Sequence, residues 1–161
     1  MVSINFLKES EIFRGLSESQ LQKIAAIAGE KSYPAGSILF KEGSQARNLY
    51  IVEEGKVALE MKINMGGNQP ARLATVDALT KGEALGWSSL IDPHVFTLSA
   101  LCMDASKLVT IDSPKLLEIL KQDTAMGFEI MKSVAKLIAS RLTRTRVMLI
   151  SERGLSLLTE Y

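Results

Sequence analysis

The stretch that decides the fold is Leu49-Tyr50-Ile51-Val52-Glu53-Glu54-Gly55-Lys56-Val57, in which a glycine-containing turn separates two apolar segments. Leu49–Val52 is rich in residues that favour β-strands, and Gly55 supplies the positive φ that a tight hairpin connection needs. The next residues, Val57–Lys62, alternate apolar and polar side chains, as a half-buried strand does. The stretch therefore predicts an antiparallel hairpin.

Short strands of the same kind continue on both sides of this hairpin. They are Ser37–Phe40, Arg72–Val76, Val95–Met103 and Leu108–Ile111, each bounded by turn-forming residues. Several short strands separated by Gly-centred turns predict an antiparallel β sandwich or barrel. We expect this β region to span about residues 31–112.

Helical patterns flank the β region. Glu9–Ala28 predicts an N-terminal helix with a cap at Ser17 and an end at Gly29. After the strands, Ser113 is the predicted cap of a short helix, and residues 124–151 predict a long one. The order is therefore helix, strands, short helix and long helix.

This order, together with two motifs, resembles a known family. Phe40-Lys41-Glu42-Gly43, followed by Leu49–Val57, resembles the front half of the cyclic nucleotide-binding domain family. The resemblance covers roughly Phe6–Ile150. It implies an α+β fold, in which an antiparallel β-roll (a double-stranded β-helix, jelly-roll-like) is flanked by an N-terminal helix and by C-terminal short and long helices. It also implies that residues 1–161 form a single domain with a regulatory role.

The ligand site of the family is a phosphate-binding cassette. Its usual form is a Gly-Glu pair that opens a short helix, then Pro-Arg, small residues and a Thr. The glycine lets the backbone approach the ligand, N–H groups at the helix start hold the cyclic phosphate, and the arginine pairs with its charge. The glutamate accepts a hydrogen bond from the ribose hydroxyl. The matching part of this sequence, called here the cassette stretch, is Gly82–Ala100.

Two alignments of the front of the cassette stretch compete. In the first, Gly82-Glu83 is the family's Gly-Glu pair and the glutamate is kept. In the second, Gly86 is the cassette glycine and Trp87 replaces the glutamate. We favour the second, because Leu90 and Ile91 then fall at the family's apolar positions.

The back of the cassette stretch aligns without ambiguity. Pro93-His94-Val95-Phe96-Thr97 stands where the family has Pro-Arg, small residues and Thr, so His94 replaces the arginine and Val95 a small residue. A charge-assisted pair contributes about 1.5–3 kcal/mol, so the loss of both charges predicts cAMP and cGMP affinities that are lower by orders of magnitude. The candidate ligand-binding residues are Gly86, Trp87, Ser88, Ser89, His94, Val95 and Thr97.

Each of these side chains also has a plainer interpretation. His94 is either a pH-dependent anion ligand or a histidine at the pocket rim. Trp87 either stacks on a planar ligand or fills core volume. Ser88 and Ser89 either bind an anion through hydroxyl and N–H groups or cap a helix. Glu83 is predicted to be a solvated loop residue.

Composition limits the classes of function. The formal net charge of +1 gives no electrostatic case for nucleic acid or for an acidic membrane surface. One histidine and one cysteine, Cys102, cannot form a typical zinc site or an internal disulfide. No signal peptide, bilayer-spanning run or catalytic motif is seen. We therefore expect a cytoplasmic protein with no metal, no cofactor and no catalytic residue.

The long helix predicts a homodimer. Its apolar stripe exceeds what one β-roll needs to cover, and its spacing suits a seam with a second copy; the alternative is packing on its own domain. The basic residues of this helix are predicted to form a solvated face in preference to a DNA contact; they are Arg141, Arg144, Arg146 and Arg153. The stripe is Met126, Ile130, Val134, Leu137, Ile138, Leu142 and Leu149.

These features predict a stand-alone regulatory or sensor module that binds a small-molecule or nucleotide-like ligand, and no nucleic acid by this chain alone. One alternative is a functional cyclic-nucleotide receptor with an altered cassette, in which Glu83 and His94 bind the nucleotide. The other is the sensor half of a transcription regulator without its DNA-binding domain.

Overall fold

The computed structural model describes the backbone of residues 1–159 and the side chains of residues 1–151. Two four-stranded antiparallel sheets form its centre, and helices precede and follow them. The elements are α1 (Ile4–Glu9), α2 (Glu18–Ala25), β1 (Ala28–Tyr33), β2 (Ile38–Phe40), β3 (Asn48–Glu54), β4 (Val57–Ile63), β5 (Arg72–Leu79), β6 (Ala84–Leu85), a 3₁₀ helix (Trp87–Leu90), β7 (Ser99–Cys102), β8 (Ser106–Asp112), α3 (Ser113–Gln122) and α4 (Thr124–Thr159).

The sheets have the strand orders β1-β8-β3-β6 and β2-β7-β4-β5. Side chains of both sheets, such as Val52 and Leu59, pack into one buried cluster between them. The opposite face of β3, with Leu49 and Ile51, packs under the helices in a second cluster. Successive side chains of a strand point to opposite faces, so β3 is buried on both sides and reads as a continuous apolar run. This is the predicted α+β β-roll.

The β3–β4 hairpin forms as predicted, and it requires its glycine. Gly55 has a φ of 88°, which strains any residue with a Cβ. A Cβ at this position would also lie 2.6 Å from the Ala105 carbonyl oxygen. The turn is therefore fixed both by local conformation and by the neighbouring β7–β8 connection.

Two predictions about the N-terminal segment are wrong. Glu9–Ala28 is not one helix, because α1 ends at Glu9 and turns fill the chain up to α2. The helix does not reach Gly29 either, since α2 ends at Ala25 and β1 begins at Ala28. The cap at Ser17 is confirmed: its hydroxyl accepts a hydrogen bond from the Gln20 N–H at 3.3 Å.

Two further boundaries differ from the predictions. Asp112, not Ser113, caps α3, because its carboxylate accepts a hydrogen bond from the Lys115 N–H at 2.9 Å and Ser113 is the buried first helical residue. The long helix starts at Thr124 as expected but continues past Ser151 to Thr159.

The predicted stripe of α4 divides into two parts. Met126, Ile130, Val134 and Leu137 are buried against the chain's own domain. Leu142 is 49% exposed and Leu149 is 53% exposed. The first half of α4 therefore belongs to the core, and the second half extends beyond it.

Candidate functional site

Residues of the cassette stretch, together with residues of the β-roll and of α4, line a small and partly open cavity, called here the Trp87 cavity. Its volume is about 110 Å³, and its walls are mostly carbon. It is lined by Phe40, Leu59, Gly86, Trp87, Ser88, Phe96, Thr97, Leu98 and Arg141.

Gly86 shapes the floor of the Trp87 cavity. It has a φ of 80° directly before the 3₁₀ helix that Trp87 opens, which agrees with the second alignment. A Cβ at this position would lie 2.8 Å from the Asn48 carbonyl oxygen and 3.3 Å from the rings of Tyr50 and Phe96. Only glycine lets the backbone pass this close to β3.

Aromatic rings fill much of the interior next to this floor. Phe96 is buried and stacks on Phe40, with ring centroids 3.7 Å apart and planes 9° apart. Phe40 also contacts Tyr50, at a centroid distance of 5.7 Å. The rings occupy space that small residues of the family's cassette would leave open.

Two other residues of the cassette stretch, Ser89 and His94, face a different space. His94 and Ser89 line a cleft of about 440 Å³ between the cassette and α3, called here the outer cleft. His94 Nδ1 lies 3.0 Å from the Ser89 carbonyl oxygen, and its Nε2 lies 3.1 Å from an Asp92 carboxylate oxygen. Val95 is 36% exposed and pairs with Gln45 in an isolated β-bridge.

The structure thus divides the predicted site residues. It brings Gly86, Trp87, Ser88 and Thr97 together around the Trp87 cavity. Ser89 and His94 lie in the outer cleft, and Val95 lines neither space.

Arg141 of α4 is the cavity residue that sequence reasoning did not assign to the site. Its side chain is 15% exposed, so the prediction of a solvated residue is wrong. It donates to the Ala84 carbonyl oxygen and lies 3.3 Å from a Glu11 carboxylate oxygen and 3.8 Å from one of Asp77. Burial lowers its pKa, although these carboxylates act in the opposite direction. The available sequence signal was its position four residues after Leu137, on the buried face of the helix.

Glu83 is 19% exposed and ion-paired, so the prediction of a solvated loop residue is wrong, whereas Arg144 is 46% exposed, as a solvated helix face requires. Arg153 lies outside the residues whose side chains the structure describes. Glu83 and Arg144 form an ion pair at 2.8 Å, and Arg144 lies 3.3 Å from an Asp77 carboxylate oxygen. Burial alone would raise the pKa of Glu83, but the Thr80 N–H and Arg144 outweigh it and lower that pKa below 4.5. Together the side chains form the Arg141 cluster: Glu11, Asp77, Glu83, Arg141 and Arg144.

The comparisons with known proteins place the chain in a family. The sequence model of the cyclic nucleotide-binding domain matches residues 30–123. The chain belongs to the cyclic nucleotide-binding domain family. The predicted family and its fold are therefore confirmed.

Solved members of the family share the architecture. A provisionally named cyclic nucleotide-binding protein from Geobacter metallireducens is 35% identical, with a TM-score of 0.76 over 88% of this chain and 99% of that chain. The catabolite activator protein of Thermus thermophilus is 25% identical, with a TM-score of 0.67 over 93% of this chain and 63% of that chain.

Curated members of the family are much longer than this chain. The cAMP-dependent protein kinase regulatory subunit of Schizosaccharomyces pombe is 31% identical over 114 residues, which is 71% of this chain and 26% of the relative. A cGMP-dependent protein kinase of Drosophila melanogaster is 25% identical over 111 residues, or 68% of this chain and 14% of the relative. The chain therefore spans between about a seventh and a quarter of these curated relatives.

In the part of the chain that the structure describes, no three His, Cys, Asp or Glu side chains are arranged to hold a metal ion. No described helix combines the length and the apolar character that crossing a membrane requires.

Proposed function

We propose that this chain is a regulatory ligand-sensing module that does not hold cAMP or cGMP in the way usual for its family. The size of the Trp87 cavity carries this proposal. Ligand pockets commonly measure about 300–1,000 Å³, whereas this cavity measures about 110 Å³ and is narrowed by the stacked rings of Phe96 and Phe40.

The charges around the Trp87 cavity support the same proposal. A cyclic phosphate needs a cation, and the family's arginine position is occupied by His94, which faces the outer cleft. Arg141 is the cation that lines the cavity, but it is already paired with Glu11 and lies close to Asp77. Taking Arg141 from these partners would leave carboxylates unpaired next to a phosphate, which is costly.

A regulatory and non-catalytic role is supported by the family. The matching family model describes a binding domain. The match to the Drosophila kinase covers only 14% of the length of that kinase. We place no catalytic residue in this chain. A cytoplasmic location stays a prediction from the single cysteine.

We also propose that α4 pairs with a second copy of the chain. Phe128, Ala135, Leu142 and Leu149 recur every seven residues, with Met131 and Ile138 between them, and we call these six the heptad face. Phe128 is 67% exposed although it is large and apolar. At 100° per residue the middle of this face lies about 120° around the helix from the buried residues Met126, Ile130, Val134 and Leu137. Its members Met131 and Ile138 pack at the edge of the core, and the other four are free to contact a second copy.

The dimer is tested by sedimentation of the chain as it exists. Leu142→Asp places a charge on the heptad face and is expected to shift a dimer to monomers. Thr143→Asp introduces the same charge at the next residue, which is also exposed but lies off the heptad face. It is the matched control and should leave the dimer intact. A monomeric unmodified chain contradicts this part of the proposal.

Isothermal calorimetry with cAMP and cGMP tests the ligand proposal. We expect no binding heat with about 1 mM nucleotide, and micromolar affinity would contradict it. A variant with Trp87→Glu, His94→Arg, Val95→Ala and Phe96→Ala restores the family's residue types and serves as the comparison. We expect this variant to gain nucleotide affinity.

A second candidate is the sensor part of a longer transcription regulator. It is favoured by similarity to the N-terminal domain of a transcriptional regulator from Streptomyces coelicolor, 26% identical over 89% of this chain with a TM-score of 0.68. Sequencing the gene beyond the codon for Tyr161 tests it. An encoded DNA-binding domain supports this candidate, and an immediate stop codon excludes it.

A further inference from the structure

We infer that the Trp87 cavity takes a small, uncharged, flat apolar molecule of about the size of one aromatic ring. The inference rests on the proposed sensing function and names the ligand class for the same cavity. Its basis is the combination of carbon walls, limited volume and a neutralised arginine.

The volume sets the size of the ligand. An engineered apolar cavity of about 150 Å³ stays dry and binds benzene. The Trp87 cavity, at about 110 Å³, is of the same order and is walled by Leu59, Leu98 and the rings of Phe96 and Trp87. A single ring can therefore fill it, whereas a nucleoside cannot.

The electrostatics set the charge of the ligand. The Arg141 cluster contains two arginines and three carboxylates, so it carries one net negative charge beside the cavity. An anion is repelled by that net charge, and Arg141, the cation that lines the cavity, is already paired with Glu11. A cation would have to lie next to the Arg141 guanidinium. Burying either kind of unpaired charge in an apolar cavity is strongly unfavourable.

The polar part of the wall admits one neutral polar group. Ser88 and Thr97 bring hydroxyl side chains to the cavity, and Ser88 is 8% exposed. A hydroxyl both donates and accepts a hydrogen bond, so it suits an amide or hydroxyl substituent on the ring.

Three probes of nearly equal shape separate the possibilities: benzamide is neutral, benzoate is negative and benzamidinium is positive. Trp87 is the only tryptophan of the chain and lines the cavity, so its fluorescence reports binding there. We expect benzamide to change the Trp87 emission saturably and to raise the melting temperature. The affinities of benzoate and benzamidinium should be lower than that of benzamide by a factor of about ten or more.

Two variants locate the binding. Leu98→Phe adds ring volume to the cavity and should abolish the benzamide response. Leu101→Phe makes the same change in β7, where the side chain lines the outer surface of the sheet beside Ile38 and Leu73, and should leave it intact. Equal responses in both variants would contradict the inference.

The remaining outcomes separate this inference from the proposed function. If benzoate binds best, the ligand class is wrong, because Arg141 then acts as an anion site, while a sensing role for the cavity stands. If no probe changes the Trp87 emission, the inference is overturned. If cAMP binds at micromolar concentration and displaces benzamide, the proposed function fails although a neutral ring fits.

Discussion

Two segments of the cassette stretch, Gly86–Ser88 and His94–Val95, face different surroundings. Gly86–Ser88 keeps the backbone geometry that a buried ligand site needs, with a left-handed glycine pressed against β3. His94 and Val95 face outward, His94 into the outer cleft. The difference teaches that a chain of this family can keep the backbone geometry of the ligand site without its charged contact. Here Gly86 keeps the left-handed turn, whereas His94, at the position of the family's arginine, faces the outer cleft. The predictions below test that contrast, beginning with the largest effect.

Gly86→Ala is expected to destabilise the fold most. The φ of 80° and a Cβ 2.8 Å from the Asn48 carbonyl oxygen act together, for an expected loss of about 2–4 kcal/mol. Urea denaturation measures it. Gly82→Ala is the matched control, because Gly82 has a φ of 85° but nothing within 4 Å of its Cβ position. It should cost about 1 kcal/mol. Equal losses would show that contact with β3 does not matter.

Arg141→Met is expected to cause the second-largest loss of stability. It removes the buried cation and leaves Glu11 and Asp77 without it, at an expected cost of about 2–3 kcal/mol in unfolding free energy. The control is Arg146→Met on the exposed surface of the same helix, which should change stability by about 0.5 kcal/mol or less. If Arg141→Met left the unfolding free energy unchanged, the Arg141 cluster would not fix α4 to the cassette stretch.

Glu83→Gln should produce a smaller and pH-dependent loss. The folded pKa of Glu83 lies below 4.5, so the ionised carboxylate stabilises the fold above that value and stops doing so as the pH falls through the folded pKa. We expect a difference of about 1 kcal/mol between wild type and variant at neutral pH. The difference should shrink as the pH falls below 4.5 and through the lowered folded pKa, because the folded carboxyl then becomes protonated. Denaturation over a series of pH values from neutral downward measures it, and a constant difference would contradict this assignment.

His94→Arg should have the smallest effect. It restores the family's cation at its aligned position, but the side chain faces the outer cleft. We expect a stability change within about 0.5 kcal/mol, no cAMP affinity and no change in Trp87 emission. Calorimetry and fluorescence check this together. Gain of cAMP binding by this single change would show that the two segments of the cassette stretch share one site.

The sequence predicted the fold best where local chemistry decides it. Gly55 and the alternation after it predict the β3–β4 hairpin because both act within a few residues. β1 was not predicted as a strand, since its stretch Gly29-Glu30-Lys31 is exposed and has no apolar alternation. It forms because it pairs with β8, from Ala28 opposite Ile111 onward, and sequence patterns do not reveal such a partner.

The site was predictable only in part, for the same reason. Gly86, Trp87, Ser88 and Thr97 lie in one motif, and the motif alone groups them. Arg141 reaches the cavity through partners far away in the chain, such as Glu11, so its burial follows from tertiary packing. The direction of the His94 side chain likewise depends on its contacts with Ser89 and Asp92, which alignment to a family does not supply.

The most direct test of the central claim is a nuclear magnetic resonance titration with cAMP that follows the Gly86 amide and the Trp87 indole N–H. If the cavity is too small and its arginine is neutralised, neither resonance moves at about 1 mM cAMP. Saturable shifts of both resonances at micromolar cAMP would contradict the account.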